Sequence, residues 1–283
     1  MRNQIERELR NYTRRLCLVN SARRIPVLMY HRVGKAHNDW ERKYCVGSDQ
    51  FAKHMNALAS NGWSAIHLSD FFSWLDGRIE IPQQSFLLTF DDGFLGVFEH
   101  AAPVLRQLDW PATVFLVSTL IGKRDSWCET HNPSGATYPL MDADQIRELL
   151  GQGFDFQSHT RRHADLPTID DETLQDELSG SREDLQTILG KPVDYLAYPF
   201  GRYDERVLIA AQRAGYKAAF STQPGFNRRE IERFRLRRLD VFGTDDATKL
   251  LRKIGLGSND GSLINSLRYP VNRLLSRLRL RSN

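Results

Sequence analysis

Two adjacent carboxylates, Asp91 and Asp92, close the apolar run Ser85-Phe86-Leu87-Leu88-Thr89-Phe90 and are followed by Gly93. The run reads as a buried strand, and the glycine permits the tight turn that brings both acids to one site. Neighbouring acids repel each other and resist burial, so the site calls for a cation, of which a bound metal ion is the simplest. An Asp-Asp-Gly turn alone is usually just solvated, and its company decides. A second apolar run, Phe154 to Phe156, leads into Ser158-His159-Thr160-Arg161-Arg162-His163, with two imidazoles four residues apart. Helical or turn-like spacing puts such a pair on one face, as neutral nitrogen ligands for zinc or a similar divalent ion. One carboxylate with two histidines leaves positions open for water and substrate, the arrangement of a catalytic ion.

Two further apolar segments end in polar residues. Val193-Asp194-Tyr195-Leu196-Ala197-Tyr198 runs into Pro199-Phe200-Gly201, a rigid turn whose backbone N–H groups suit a developing oxyanion. Ile25-Pro26-Val27-Leu28-Met29-Tyr30 ends at His31. Delivery of polar groups at the C-terminal ends of several strands is how parallel α/β sheets and barrels build active sites.

Together these residues resemble the NodB-type polysaccharide deacetylases, the fourth family of carbohydrate esterases, from roughly Arg24 to Asp246. The resemblance implies a distorted (β/α) barrel and a metal-dependent hydrolase that removes N-acetyl groups from an amino sugar in a polysaccharide or lipid-linked glycan. It assigns Asp91 as catalytic base and Asp92, His159 and His163 as ligands of one divalent ion. Zinc is favoured, with cobalt, nickel and manganese as alternatives. It places Tyr198, Pro199 and Phe200 at the oxyanion and substrate, with the Phe200 amide as donor. Two departures stand out. Ala197 occupies the place, two residues before Pro199, where many members carry a base-orienting arginine. No histidine follows His163 to serve as general acid. The segment Val27 to Val33 is similar to the Tyr-His element of the circularly permuted poly-N-acetylglucosamine deacetylase branch, and this gives the acid role to His31. Arg238, on the late run Arg237 to Val241, is the candidate for the lost arginine.

Rival readings are a deformylase or other non-peptide amide hydrolase using the same site, a catalytically silent carbohydrate-binding barrel, and a membrane-associated scaffold with a structural metal. Asp91 favours turnover over the second, because metal binding needs only Asp92 and the histidines. Open coordination argues against the third.

The elements that must position these groups are predicted as strands at 25–30, 64–67, 86–90, 112–118, 154–158, 195–199, 217–221 and 237–241. Helical patterns lie between most of them, at Asp49 to Ser60, Asp142 to Leu150, Asp170 to Leu189 and Asp204 to Gly215. Strand–helix alternation argues for a parallel α/β fold. Lys123 to Pro139 lacks periodicity and reads as an active-site loop, with Trp127 and Tyr138 able to stack on a sugar or merely to anchor the loop.

A chain of 283 residues, 41% hydrophobic, suffices for a single barrel of roughly 250 residues. Cys17, Cys45 and Cys128 are too widely spaced for a disulfide framework and read as free thiols. The net charge of +4 is uneven: residues 1–24 carry seven arginines against two acids, residues 249–283 eight Lys/Arg against one, and residues 25–248 therefore hold −8. This divides the chain into a basic extension (1–24), a barrel (25–248) and a basic segment (249–283). In that last segment Leu263, Ile264, Leu267, Val271, Leu274, Leu275 and Leu278 recur at helical spacing. Such a helix can lie on an anionic membrane or pack on the barrel. The charged start and the lack of a spanning run lead to the expectation of a cytoplasmic protein, associated with the inner membrane face if the helix binds there. No nucleic-acid motif accompanies the arginines, and the acidic body argues against such a partner.

Overall fold

The structure, a computed structural model, describes residues 24–262 and Ile264. The basic extension before Arg24 and the stripe from Leu263 to Leu278, Ile264 aside, lie outside the described residues. Among those described, no helix is long and apolar enough to cross a membrane.

Ten strands occur in the order β1 (Val27–Tyr30), β2 (Arg32–Val33), β3 (Cys45–Val46), β4 (Ser64–Ala65), β5 (Ser85–Phe90), β6 (Ala112–Leu116), β7 (Phe154–Ser158), β8 (Tyr195–Ala197), β9 (Ala218–Phe220) and β10 (Leu239–Asp240). Eight form one sheet with the order β10-β1-β5-β6-β7-β8-β9, β4 pairing with the start of β5. Every pairing is parallel. The eight predicted strand regions supply these eight strands. The parallel pair β2–β3 was not predicted, since two residues per strand are too few for any periodicity to register.

The sheet curls until its ends meet. The Ser221 amide donates to the Leu236 carbonyl at 2.8 Å and the Leu236 amide to the Ala219 carbonyl at 3.0 Å. Three residues on, β10 pairs with β1, so the run Leu236–Asp240 joins both ends of the strand order and completes a distorted barrel. All six residues of β5 are buried, which is why it reads as a continuous apolar run. Alternate strand residues serve two cores. Val27, Leu87, Phe115, Ala218 and Phe220 meet inside the curl, where helix Leu68–Leu75 adds Phe71, Phe72 and Trp74. Leu28, Leu88, Val114, Phe156 and Leu196 face the outer helices. Each fully buried large apolar side chain here contributes about 1.5–3 kcal/mol.

Two helices depart from the sequence reading. The predicted helix Asp170 to Leu189 is interrupted: α-helical segments Asp171–Gln175 and Ser181–Leu189 flank a π-helical turn, Asp176–Gly180. Helix Ala247–Leu256 buries Leu250, Ile254 and Leu256 and packs on helix Ser48–Ser60. The barrel's core therefore runs on to Leu256, and the boundary drawn from charge at 248 is too early. Even a charge on that helix, Lys253, is buried, paired with Asp245, while its leucines belong to the core.

Candidate metal centre and active site

The end of β5 makes the first half of the site. The Asp91 amide extends the ladder to the Tyr30 carbonyl at 2.9 Å. Asp92 then turns left-handed at φ 73° and Gly93 at φ 81°. A Cβ on Gly93 would press only on the movable end of Leu116, Cδ2 at 2.6 Å, so it is the left-handed backbone that calls for glycine. Left-handed backbone is uncommon for an aspartate and marks a position held by its surroundings.

The end of β7 makes the second half. The spacing of His159 and His163 suggested a helical or turn-like face, and the structure reaches it with a loop. Thr160 (φ 67°) and His163 (φ 63°) are both left-handed, and the two rings meet at 4.9 Å between centroids. Each Nε2 stands 3.4 Å from Asp92 Oδ1. His159 Nδ1 donates to the Ala197 carbonyl at 2.8 Å, so in the neutral ring the Nε2 lone pair faces Asp92. His163 is stacked beneath Trp127 at 4.4 Å and 16°.

This donor set fits a divalent ion. Asp92 Oδ1 is buried without a hydrogen-bond partner, and the three ligand atoms lie within 4.8 Å of one another. Burial drives the His163 pKa down, the neighbouring His159 adds to this against the pull of Asp92, and it reaches about 3, so the ring is neutral. Burial pushes the Asp92 carboxyl up, but the surrounding imidazoles of His159, His163 and His31 draw it down to about 2, so it is ionised. A neutral imidazole and an ionised carboxylate are the forms that bind metal.

Asp91 faces the same cavity without joining the triad. Arg238 grips it with two parallel bonds, Nη1 to Oδ1 at 2.6 Å and Nη2 to Oδ2 at 2.8 Å, while its Nε donates to the Ser221 carbonyl at 3.0 Å. Burial raises the Asp91 pKa, yet the Arg238 guanidinium, then His159 and His31, hold it below the usual carboxylate range. With Ala197 two residues before Pro199, the arginine that meets Asp91 comes instead from the run that closes the barrel.

His31, half-buried just past β1, packs edge-on against Tyr44 at 5.6 Å. It lines a cavity of about 390 Å³ together with Asp91, Asp92, His159, His163 and Phe200. Asp240 also lines it, with burial raising its pKa against the charge of His31. In the Pro199–Gly201 turn, Phe200 is left-handed at φ 58° and its ring is exposed to the cavity mouth. The turn's own bonds, Gly201 amide to Tyr198 carbonyl and Arg202 amide to Pro199 carbonyl, do not use the Phe200 N–H. Tyr198 is buried with its hydroxyl donating to the Phe234 carbonyl at 3.1 Å, so it braces the turn, as does buried Pro199.

Residues 78–219, half of the 283, match the family model of the polysaccharide deacetylases. The chain belongs to the polysaccharide deacetylase family. It is therefore an enzyme of the carbohydrate deacetylase type. YxkH of Bacillus subtilis, a polysaccharide deacetylase by name, is 27% identical over 218 residues, covering 77% of this chain and 71% of that one. The poly-β-1,6-N-acetyl-D-glucosamine N-deacetylase of Staphylococcus aureus is 24% identical over 216 residues, covering 69% and 71%. The structure of Streptococcus pyogenes deacetylase PplD in complex with acetate has the same fold, with a TM-score of 0.70 at 23% identity over 82% of this chain and 98% of that one. The matched family segment holds Asp91, Asp92, His159, His163 and the Pro199 turn, whereas His31, Arg238 and Asp240 come from outside it.

Sequence reasoning passed over Glu41 entirely. Its buried carboxylate accepts from Arg32 Nη2 (2.7 Å), the His37 amide (2.8 Å), Asn38 Nδ2 (3.3 Å), Asn132 Nδ2 (3.0 Å) and the Tyr138 hydroxyl (2.6 Å). This ties the segment after His31 to the Lys123–Pro139 loop, so that two walls of the deacetylase cavity are fixed against each other. No local pattern announces it, because the partners lie up to 97 positions away.

Proposed function

We propose that this deacetylase hydrolyses the N-acetyl group of an amino sugar within a polysaccharide or lipid-linked glycan, releasing acetate and a free amine, with a divalent ion held by Asp92, His159 and His163. The observation that carries the reading is the unpartnered Asp92 Oδ1 between two imidazole Nε2 atoms, beside a separate carboxylate already matched to a guanidinium. The bound ion would supply Lewis-acid polarisation of the acetyl carbonyl and a lower pKa for water.

The chain's own groups account for the rest. Asp91 is the proton acceptor for the attacking water: it is ionised, and its oxygens keep lone pairs beyond the two that Arg238 occupies. Arg238 fixes the carboxylate plane and so the direction of that lone pair. The Phe200 amide is the donor for the oxyanion, in a turn held from below by Tyr198. His31, on the other side of the cavity, gives a proton to the leaving nitrogen, since an amine anion is too poor a leaving group to depart unprotonated.

The test is acetate release from N-acetylated oligosaccharides and lipid-linked N-acetyl sugars, before and after chelation and zinc readdition. Chelator-sensitive release, lost in Asp91→Asn, is the expected result. Release that survives both treatments would refute the assignment.

A further inference from the structure

The loop that carries both site histidines is held down by an acid that lies in none of the recognised motifs. Glu177 sits in the π-helical turn Asp176–Gly180 with its side chain 1% exposed. Its Oε2 accepts from the Arg161 amide at 3.0 Å and the Arg162 amide at 2.9 Å, the two residues midway between His159 and His163. Arg162 Nε stands 2.9 Å from the other oxygen. Other backbone groups of the loop meet neutral partners. The Thr160 amide donates to Ser158 Oγ and the His163 amide to Thr160 Oγ1, both at 3.2 Å. The Thr160 and Arg161 carbonyls accept from the Ser118 and Thr119 amides, both at 3.1 Å.

Two left-handed residues with side chains, Thr160 and His163, bracket those amides. Such backbone persists only where its surroundings over-determine it, and π-helical turns recur at functional sites. Gly180, in the same turn, lets Arg161 lie across the helix: a Cβ there would stand 3.0 Å from Arg161 Cδ.

We propose that Glu177 is a positioning residue of the metal centre: it fixes the Arg161–Arg162 backbone so that both Nε2 atoms point to one spot. This rests on the reading of Asp92, His159 and His163 as ligands, and the experiment separates the two ideas. Zinc affinity is measured on metal-free protein by competition with a chromogenic chelator, alongside far-UV circular dichroism and the metal-free thermal midpoint. Glu177→Ala should weaken zinc binding about 10–100-fold, the range for lost outer partners of metal ligands, and Glu177→Gln, of equal shape, by less. Asp176→Asn is the control. Asp176 accepts from Arg161 Nη1 and Arg162 Nη2 but touches only guanidinium tips at the surface, so affinity should stay within about twofold. Zinc binding unchanged in both Glu177 variants, or weakened equally in Asp176→Asn, would overturn the proposal. If Glu177→Ala does not fold, Glu177→Gln against Asp176→Asn decides. Absence of tight binding by the unaltered chain, or its persistence in His163→Ala, would instead overturn the metal reading and this proposal with it.

Discussion

Replacing Arg238 by Met tests the pairing that holds Asp91. The substitution keeps an apolar stem but removes both bonds to Asp91 and the bond to the Ser221 carbonyl. Neither partner can turn to water, since the side chains are 0% and 3% exposed. What remains is a buried carboxylate without its counter-ion, and breaking such a pair from one side costs about 3–5 kcal/mol. For a domain of this size that lowers the melting temperature on the order of 10 °C. Urea unfolding in excess chelator, which removes any contribution from bound metal, measures the cost directly. The same substitution placed on Asp91→Asn should cost much less, giving a coupling of about 2–3 kcal/mol, because the charge it strands is already gone. Arg238→Lys should fall between, as an ammonium restores charge without the two-pronged grip. A loss below about 1 kcal/mol for Arg238→Met, or an equal loss with and without Asp91, would show that the contact is not the stabilising one.

Three further outcomes are expected. His31→Ala should cut acetate release at least about 100-fold while zinc affinity stays as it was, and an unchanged rate would move the acid role to His131, the neighbouring cavity imidazole. Burial raises the Glu41 pKa, but bonds from the Tyr138 hydroxyl, the His37 amide and Asn132, with the Arg32 charge, bring it from 4.5 to about 2. Its stabilisation is thus complete above about pH 4.5 and lost as pH falls towards 2, so the urea-midpoint gap between the unaltered chain and Glu41→Gln should close over that window. A gap independent of pH would refute the hub. Gly201 is left-handed at φ 67°, and a Cβ there would meet Thr222 Oγ1 at 2.0 Å. Gly201→Ala should therefore cost roughly 1–3 kcal/mol or more and depress turnover by re-aiming the Phe200 amide, whereas full activity would place the oxyanion donor elsewhere.

The groups that were legible in the sequence stand where buried strands stop. In β5 and β7 an apolar run breaks abruptly into acids or imidazoles, and that contrast is local. Arg238 became visible only because Ala197 left a role unfilled, after which a late strand with a central arginine was the place to look. His159 and His163 were legible as a pair, but the backbone between them was not: spacing cannot distinguish a helical turn from a loop with Thr160 and His163 both left-handed. Glu41 and Glu177 were illegible for another reason. Each is one acid in an ordinary charged stretch, and its meaning lies in amides and hydroxyls brought to it by the fold. The same holds for the π-helical turn, since Asp171 to Leu189 has the leucine spacing of an unbroken helix.

The run from Leu236 to Asp240 has a consequence in time as well as in space. It joins β9 to β1, sets Arg238 against Asp91 and carries Asp240 into the cavity. Asp91 and its guanidinium are 147 positions apart, so a chain emerging from the ribosome has made Asp91 and the two histidines well before the arginine exists. Until that stave docks, the curl is open along one seam, β1 shows an unpaired edge, and Asp91 has no counter-ion. A partly synthesised or C-terminally clipped chain would expose a sticky strand and leave Asp91 without its guanidinium at once. Orientation of Asp91 and protection of the β1 edge are therefore acquired together, when this run docks.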